Sequence, residues 1–128
     1  MQKRLGKFEA KLAQSEVDGI LVIGQNNIYY LTGFWGTEAT VFISGKRRLF
    51  VTDSRYILIA KASVKGFDII ESRQALEEIA KIIKEDGLTK IGFDSQVTYG
   101  FYQGLSALFA DYQLVAMSNF IEDLRMIK

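Results

Sequence analysis

Two short clusters hold the residues of this chain whose types and spacing could do chemistry. Residues 25–39, QNNIYYLTGFWGTEA, carry the single Trp, a run of aromatics set among Asn and Gly, and one carboxylate, Glu38. One strand-turn-strand further on stands Asp53-Ser54-Arg55-Tyr56. A core does not need that mixture, because Asn and Gly supply turn geometry and Tyr carries a polar tip on an apolar body. The two clusters are therefore expected to form one surface, with the rest of the chain as its scaffold.

Composition limits what such a surface can do. The chain has 0 His and 0 Cys, which excludes disulfides, zinc-finger sites, imidazole acid–base catalysis and any Ser or Cys nucleophile served by a His base. The routes left are carboxylates, Lys or Tyr, or a hard metal on oxygen ligands. No two carboxylates fall at a spacing that makes an acid–base dyad or a metal cage. Asp53 and Asp94 end different strands, while Glu77-Glu78 and Glu85-Asp86 read as solvated helix faces. Asp53 reads as a helix N-cap, with orientation of Arg55 or a direct substrate role as the alternative. Arg55, expected in a first helical turn where the macrodipole disfavours cations, needs a carboxylate from Asp53, Glu38 or a ligand. Structural pairing and ligand clamping remain equally open for it. Tyr29 and Tyr30 are adjacent, so at most one can point fully inward. Phe34 reads as a core plug and Trp35, beside Gly36, as an exposed interface residue. Taken alone, these residues make no catalytic machine.

A chain of 128 residues with 48% apolar and 24% charged residues makes one globular domain with a real core. Lys+Arg 16 against Asp+Glu 15 leaves a net charge of +1, so no basic surface asks for nucleic acid. The one basic run, Lys46-Arg47-Arg48, reads as a solvated turn. No apolar run is long enough to span a bilayer, and the residues after Met1 lack a signal-peptide core, so no membrane partner and a cytoplasmic address are expected.

The elements that position the two clusters follow from periodicity. Leu5, Phe8 and Leu12 predict an amphipathic helix over 2–16, and Ile20-Leu21-Val22-Ile23 a strand buried on both sides. Asn26 and Asn27 are expected to cap a short helix that stops near Gly33. Strands at 40–43 and 49–52 flank a Gly45-containing turn. Asp53 or Ser54 then opens a helix to about Ala62, with Tyr56, Ile59, Ala60 and Ser63 along one side. A strand at 67–70 precedes a helix, capped by Ser72, that buries Leu76, Ile79, Ala80 and Ile83 and ends at Asp86-Gly87. A strand at 90–93 leads to a helix opened by Thr98, with Phe101, Leu105, Leu108 and Phe109 inward. The last strand is 112–115, and Asn119 caps a final helix that starts and stops, as if it packed on something beyond the chain. The sum is an α/β fold, a three-layer α/β/α sandwich on a six-stranded mixed sheet.

NNIYYLTGFWGTEA followed by VTDSRY resembles the N-terminal domain of the creatinase, aminopeptidase P and prolidase family. The resemblance extends to Arg4-Leu5, to Val17-Asp18-Gly19-Ile20 and to the closing 121–128, IEDLRMIK, and so spans nearly the whole chain. It implies residues 1–118 as a creatinase/prolidase-type N-terminal domain and 119–128 as the start of a connector helix to a catalytic domain not in this sequence. That second domain would hold two divalent metal ions, manganese or cobalt, and hydrolyse Xaa-Pro bonds as a dipeptidase or an aminopeptidase. No metal ligand maps onto this chain, which would have no peptidase activity alone. The resemblance further implies a homodimer in which this domain gates the neighbouring subunit's active site for short Xaa-Pro peptides. Phe34, Trp35, Thr37 and Glu38 would line or gate that partner pocket, with Arg55 and Tyr56 beside the loop, holding it or contacting substrate. Asn27, Tyr30, Gly33 and Asp53 take the motif's structural positions. A stand-alone peptide- or protein-binding module with the same fold is the alternative.

Overall fold

A computed structural model of the chain describes residues 2–36, 38–94 and 97–126. The elements, in chain order, are α1 (Gln2–Ala13), β1 (Gly19–Val22), α2 (Gln25–Thr32), β2 (Ala39–Ser44), β3 (Arg48–Thr52), α3 (Ile57–Ser63), β4 (Asp68–Glu71), α4 (Ala75–Asp86), β5 (Lys90–Asp94), α5 (Tyr99–Leu108), β6 (Gln113–Met117) and α6 (Phe120–Arg125). The six strands form one mixed sheet in the order β4-β3-β2-β1-β5-β6. β2 runs antiparallel to both β1 and β3, and every other pairing is parallel. Five strands therefore end on one edge of the sheet, and β2 begins there.

Side chains alternate between two cores, as the period of a strand requires. Ile20 and Val22, Val41 and Ile43, and Phe50 face α1, α2, α3 and α6. Leu21, Phe42, Leu49 and Val51, and Ile91 and Phe93 face α4 and α5. This is the expected three-layer α/β/α sandwich on six strands. The expected burial of the first strand holds, since β1 lies between β2 and β5 and is buried throughout.

Several local expectations give way. α2 begins one residue earlier than Asn26 and is entered at Gly24 with no side-chain cap; Asn27 is instead buried within it. Its end at Gly33 is as expected, with φ 79° and its N–H donating to the Tyr29 carbonyl, a left-handed cap that glycine adopts without Cβ strain. α3 starts at Ile57, after Arg55, so neither Asp53 nor Ser54 caps it. Its buried side is Ile57 and Ala60, whereas Ile59 and Ser63 face solvent. In α5, Thr98 does cap, accepting from Phe101 N, but Leu105 is the helix's buried residue, with Phe109 just after it; Phe101 and Leu108 are exposed. Asn119 sits at φ 60° without a capping bond, and α6 buries Phe120, Ile121 and Leu124 in the core that it shares with α1. Arg47 and Arg48 are not a merely solvated turn. Each forks onto a carboxylate, Asp86 at 2.6 and 2.9 Å and Glu9 at 2.6 and 2.9 Å, and so pins the β2–β3 hairpin to α4 and α1.

Candidate functional site

The edge where β1, β3, β4, β5 and β6 end and β2 begins gathers both sequence clusters. α2 follows β1, the 33–38 loop leads into β2, and Asp53-Ser54-Arg55 follows β3. Because β2 alone is reversed, Glu38 at its entry lies beside Asp53 at the exit of β3; Ala39 and Thr52 are register partners. The Thr52 hydroxyl donates to the Glu38 carbonyl, which fixes that entry.

The loop is anchored from within. Thr32, buried at the end of α2, donates through its hydroxyl to the Ile28 carbonyl at 2.7 Å and accepts from Phe34 N at 3.0 Å. Phe34 then turns into the core at 3% exposure and meets Phe50 and Tyr56 edge to face, with centroids 5.0 and 6.0 Å apart. This burial agrees with its reading as a core plug, and it leaves Trp35 rather than Phe34 as the exposed aromatic of the loop. Gln25 Nε2 donates to the Gly36 carbonyl at 3.2 Å, tying the loop back to the start of α2. Trp35, between these anchors, is 62% exposed and rests edge-on against the half-exposed Tyr29, with centroids 5.5 Å apart. Thr37 lies outside the described residues.

Asp53 holds Arg55 rather than a helix end. Its Oδ1 accepts from Arg55 N at 2.9 Å, and its Oδ2 accepts from the guanidinium at 2.7 and 3.1 Å. That guanidinium holds the Asp53 carboxyl below its usual range. Glu38 approaches the same guanidinium at 3.7 Å, and the Arg55 head lies 5.5 Å from the Tyr56 ring centroid. Arg55 thus lies just before the N-terminal end of α3, and the carboxylates expected to offset its charge there are Asp53 and Glu38. Between this cluster, the start of β2 and the start of α4 opens a cleft of about 520 Å³.

Tyr30 is the more inward of the tyrosine pair. Its hydroxyl donates to the Leu124 carbonyl at 3.3 Å, and Arg4 stacks over its ring at 4.7 Å. A second polar hub went unassigned in the sequence. Asp94, 2% exposed at the end of β5, accepts from Ile23 N, Gly24 N and Asn27 Nδ2 at 3.0, 2.7 and 3.2 Å. Burial pushes its carboxyl up, and Glu122 adds to the shift. Asn27 also donates to Glu122 at 3.3 Å and accepts from Arg125 at 2.6 Å, so one amide joins β5, α2 and α6. A lone Asp closing a strand at a sheet edge was the one available signal.

These residues do not fit a pair of divalent ions. Asp53 and Glu38 both attend Arg55, and among the described residues no three His, Cys, Asp or Glu side chains gather to hold a metal. Nor is any helix among them long and apolar enough to cross a membrane.

Fold and edge together define an α/β/α domain that presents an internally anchored aromatic loop beside an ion-paired cleft. The chain belongs to the Creatinase/Prolidase N-terminal domain family, whose model matches residues 4–127. It is similar to a crystal structure described as aminopeptidase P, an Xaa-Pro aminopeptidase, from Streptococcus thermophilus: 61% identity, 98% of each chain covered, TM-score 0.95. An Xaa-Pro dipeptidase from Bacillus anthracis is 31% identical, with 99% of this chain and 36% of that one covered and a TM-score of 0.90. The uncharacterized peptidase YqhT of Bacillus subtilis (strain 168) is 38% identical over 127 residues, 98% of this chain. The chain spans 36% of that relative's length.

Proposed function

We propose that this chain is the non-catalytic N-terminal domain of a proline-specific metallopeptidase, an Xaa-Pro dipeptidase or aminopeptidase, and that it supports dimerisation and gates the neighbouring subunit's active site. The carrying observation is Trp35, 62% exposed on a loop whose two flanks are anchored. An exposed tryptophan on a firm mount suits docking against another surface, because little loop entropy is left to lose on contact. In this reading Trp35 is the wall, Glu38 its polar flank and Phe34 its anchor, with Arg55 and Tyr56 bracing the loop from the side. The metal ions and their ligands belong to the catalytic half, as do the bond-breaking steps. The exposed edge-to-face pair with Tyr29 widens the apolar face offered to a partner.

The test is Trp35→Ala in the protein that includes the catalytic half. A docked aromatic of this kind is worth about 2 kcal/mol or more, so KM for an Xaa-Pro dipeptide should rise about 30-fold while the fold is unchanged. Light scattering should report a dimer. Unchanged KM and kcat in the variant, or full activity from a monomer, would overturn the reading.

A further inference from the structure

We propose that the cleft beside the loop binds the free carboxylate of a zwitterionic amino acid or short peptide, with Arg73 as its anchor. This rests on the reading above and deepens it, by giving the domain a peptide-terminus site of its own next to the gate.

The cleft lies outside the carboxyl ends of β1, β3 and β4, the crevice where ligands settle in open α/β sheets. Its volume of about 520 Å³ is that of a small-molecule site. Two arginines line it, and they are not equivalent. Arg55 is already neutralised by Asp53 at 2.7 Å, with Glu38 at 3.7 Å. Arg73 lines the same cleft with no carboxylate partner among the described residues. A guanidinium in a concave site offers a fixed fork of donors that matches a carboxylate bidentately.

The opposite wall selects the kind of anion. Glu38 and Asp53 also line the cleft. A doubly charged phosphate meets their repulsion, whereas a ligand carrying one carboxylate and one ammonium is complementary to both walls. Glu38 is the carboxylate open to that ammonium, since Asp53 is committed to Arg55 through three hydrogen bonds. Phe101 and Ala75 supply apolar surface for the ligand's body. The exposure of Phe101, unexplained by core packing, has a use here.

The experiment is an amide-shift titration of the 128-residue chain. A Streptococcus thermophilus chain of which the match covers 98% has been crystallised, so a domain of this length folds alone. The probes are Gly-Pro, its C-terminal amide and inorganic phosphate. Gly-Pro should saturate shifts at Ser72, Arg73, Ala75 and Phe101 with a Kd of about 1 mM. The amide should bind at least about tenfold more weakly, matching the loss of a charge-assisted pair. Arg73→Ala should abolish saturation with the remaining spectrum intact, and Arg73→Lys should restore part of it. Absence of saturable shifts, equal binding of the amide, tighter binding of phosphate, or full binding by Arg73→Ala would each overturn the site. Arg73-dependent binding together with a silent Trp35→Ala variant would sink the gating reading and leave the site standing. The reverse pattern would sink the site alone.

Discussion

Gly36→Ala measures how tightly the loop is held. A Cβ at position 36 would lie 2.5 and 2.8 Å from Cε2 and Cζ of the Phe34 ring. Gly36 is not among the glycines with positive φ, so its backbone accepts alanine and the effect is steric. The ring cannot retreat inward, because Phe50 and Tyr56 stand edge-on to it at 5.0 and 6.0 Å. Regaining ordinary contact needs a shift of about 1 Å, which a close-packed interior resists. Overpacking of that size costs about 1–3 kcal/mol. The lower unfolded-state entropy of alanine offsets about 0.4–1 kcal/mol of it.

Urea unfolding of four proteins separates the contributions: the parent chain, Gly36→Ala, Phe34→Ala and the double variant. Phe34→Ala alone should cost about 3–5 kcal/mol. In that background the ring is gone, and Gly36→Ala should become neutral or stabilising by about 0.4–1 kcal/mol. The coupling energy is therefore expected at about 1–3 kcal/mol, at the upper end for contacting residues. An equal cost of Gly36→Ala in both backgrounds would refute the argument, since the ring would then not be what the methyl meets.

Two carboxylates should give pH dependences of opposite sign. Arg55 lowers the Asp53 carboxyl below its ordinary 3.8, so its contribution is present above that value and fades as pH falls through the lowered one; the stability difference between the parent and Asp53→Asn should grow as pH rises from about 2 to 5. Burial raises Asp94 above 3.8, so the parent's advantage over Asp94→Asn should shrink as pH rises above that value, and a difference that grows instead would show the three donated hydrogen bonds outweighing desolvation. In α5, Leu105→Ala should cost about 2–5 kcal/mol in urea unfolding and Leu108→Ala less than about 1 kcal/mol; equal costs would contradict their exposures of 0% and 36%.

The layers were legible because they are written in periods. Leu5, Phe8 and Leu12 fell on the face of α1 that is buried, and Ile79 and Ile83 did the same for α4. What failed was local hydrogen bonding. Asp53 read as a cap because Asp precedes so many helices, but Arg55, two residues on, offers it three bonds, two from the guanidinium and one from the backbone N–H, and wins. α3 begins only at Ile57, and of the expected stripe Ala60 is buried and Tyr56 packs on the core, while Ile57 and Val64 take the buried places expected for Ile59 and Ser63. Arg47 and Arg48 read as solvent-facing because their partners, Asp86 and Glu9, are each 39 residues away. Asp94 was visible only as one strand-terminal acid. Its role depends on Gly24, Asn27 and Glu122, which meet only when β1, β5 and α6 are in place.

The reversal of a single strand accounts for the character of the edge. If β2 ran with the others, residue 38 would open on the far side of the sheet, and Arg55 would keep Asp53 but lose Glu38. With β2 antiparallel, the chain must return to the carboxyl-end edge before entering it, and the 33–38 loop is that return. The loop therefore shares an edge with the β3 exit, the start of α4 and the Asp94 hub, whose Asn27 reaches α6. A surface built this way can be firm at its flanks and open at its crest. Thr32, Phe34 and Gln25 hold the flanks, and Trp35 is left outside at 62% exposure.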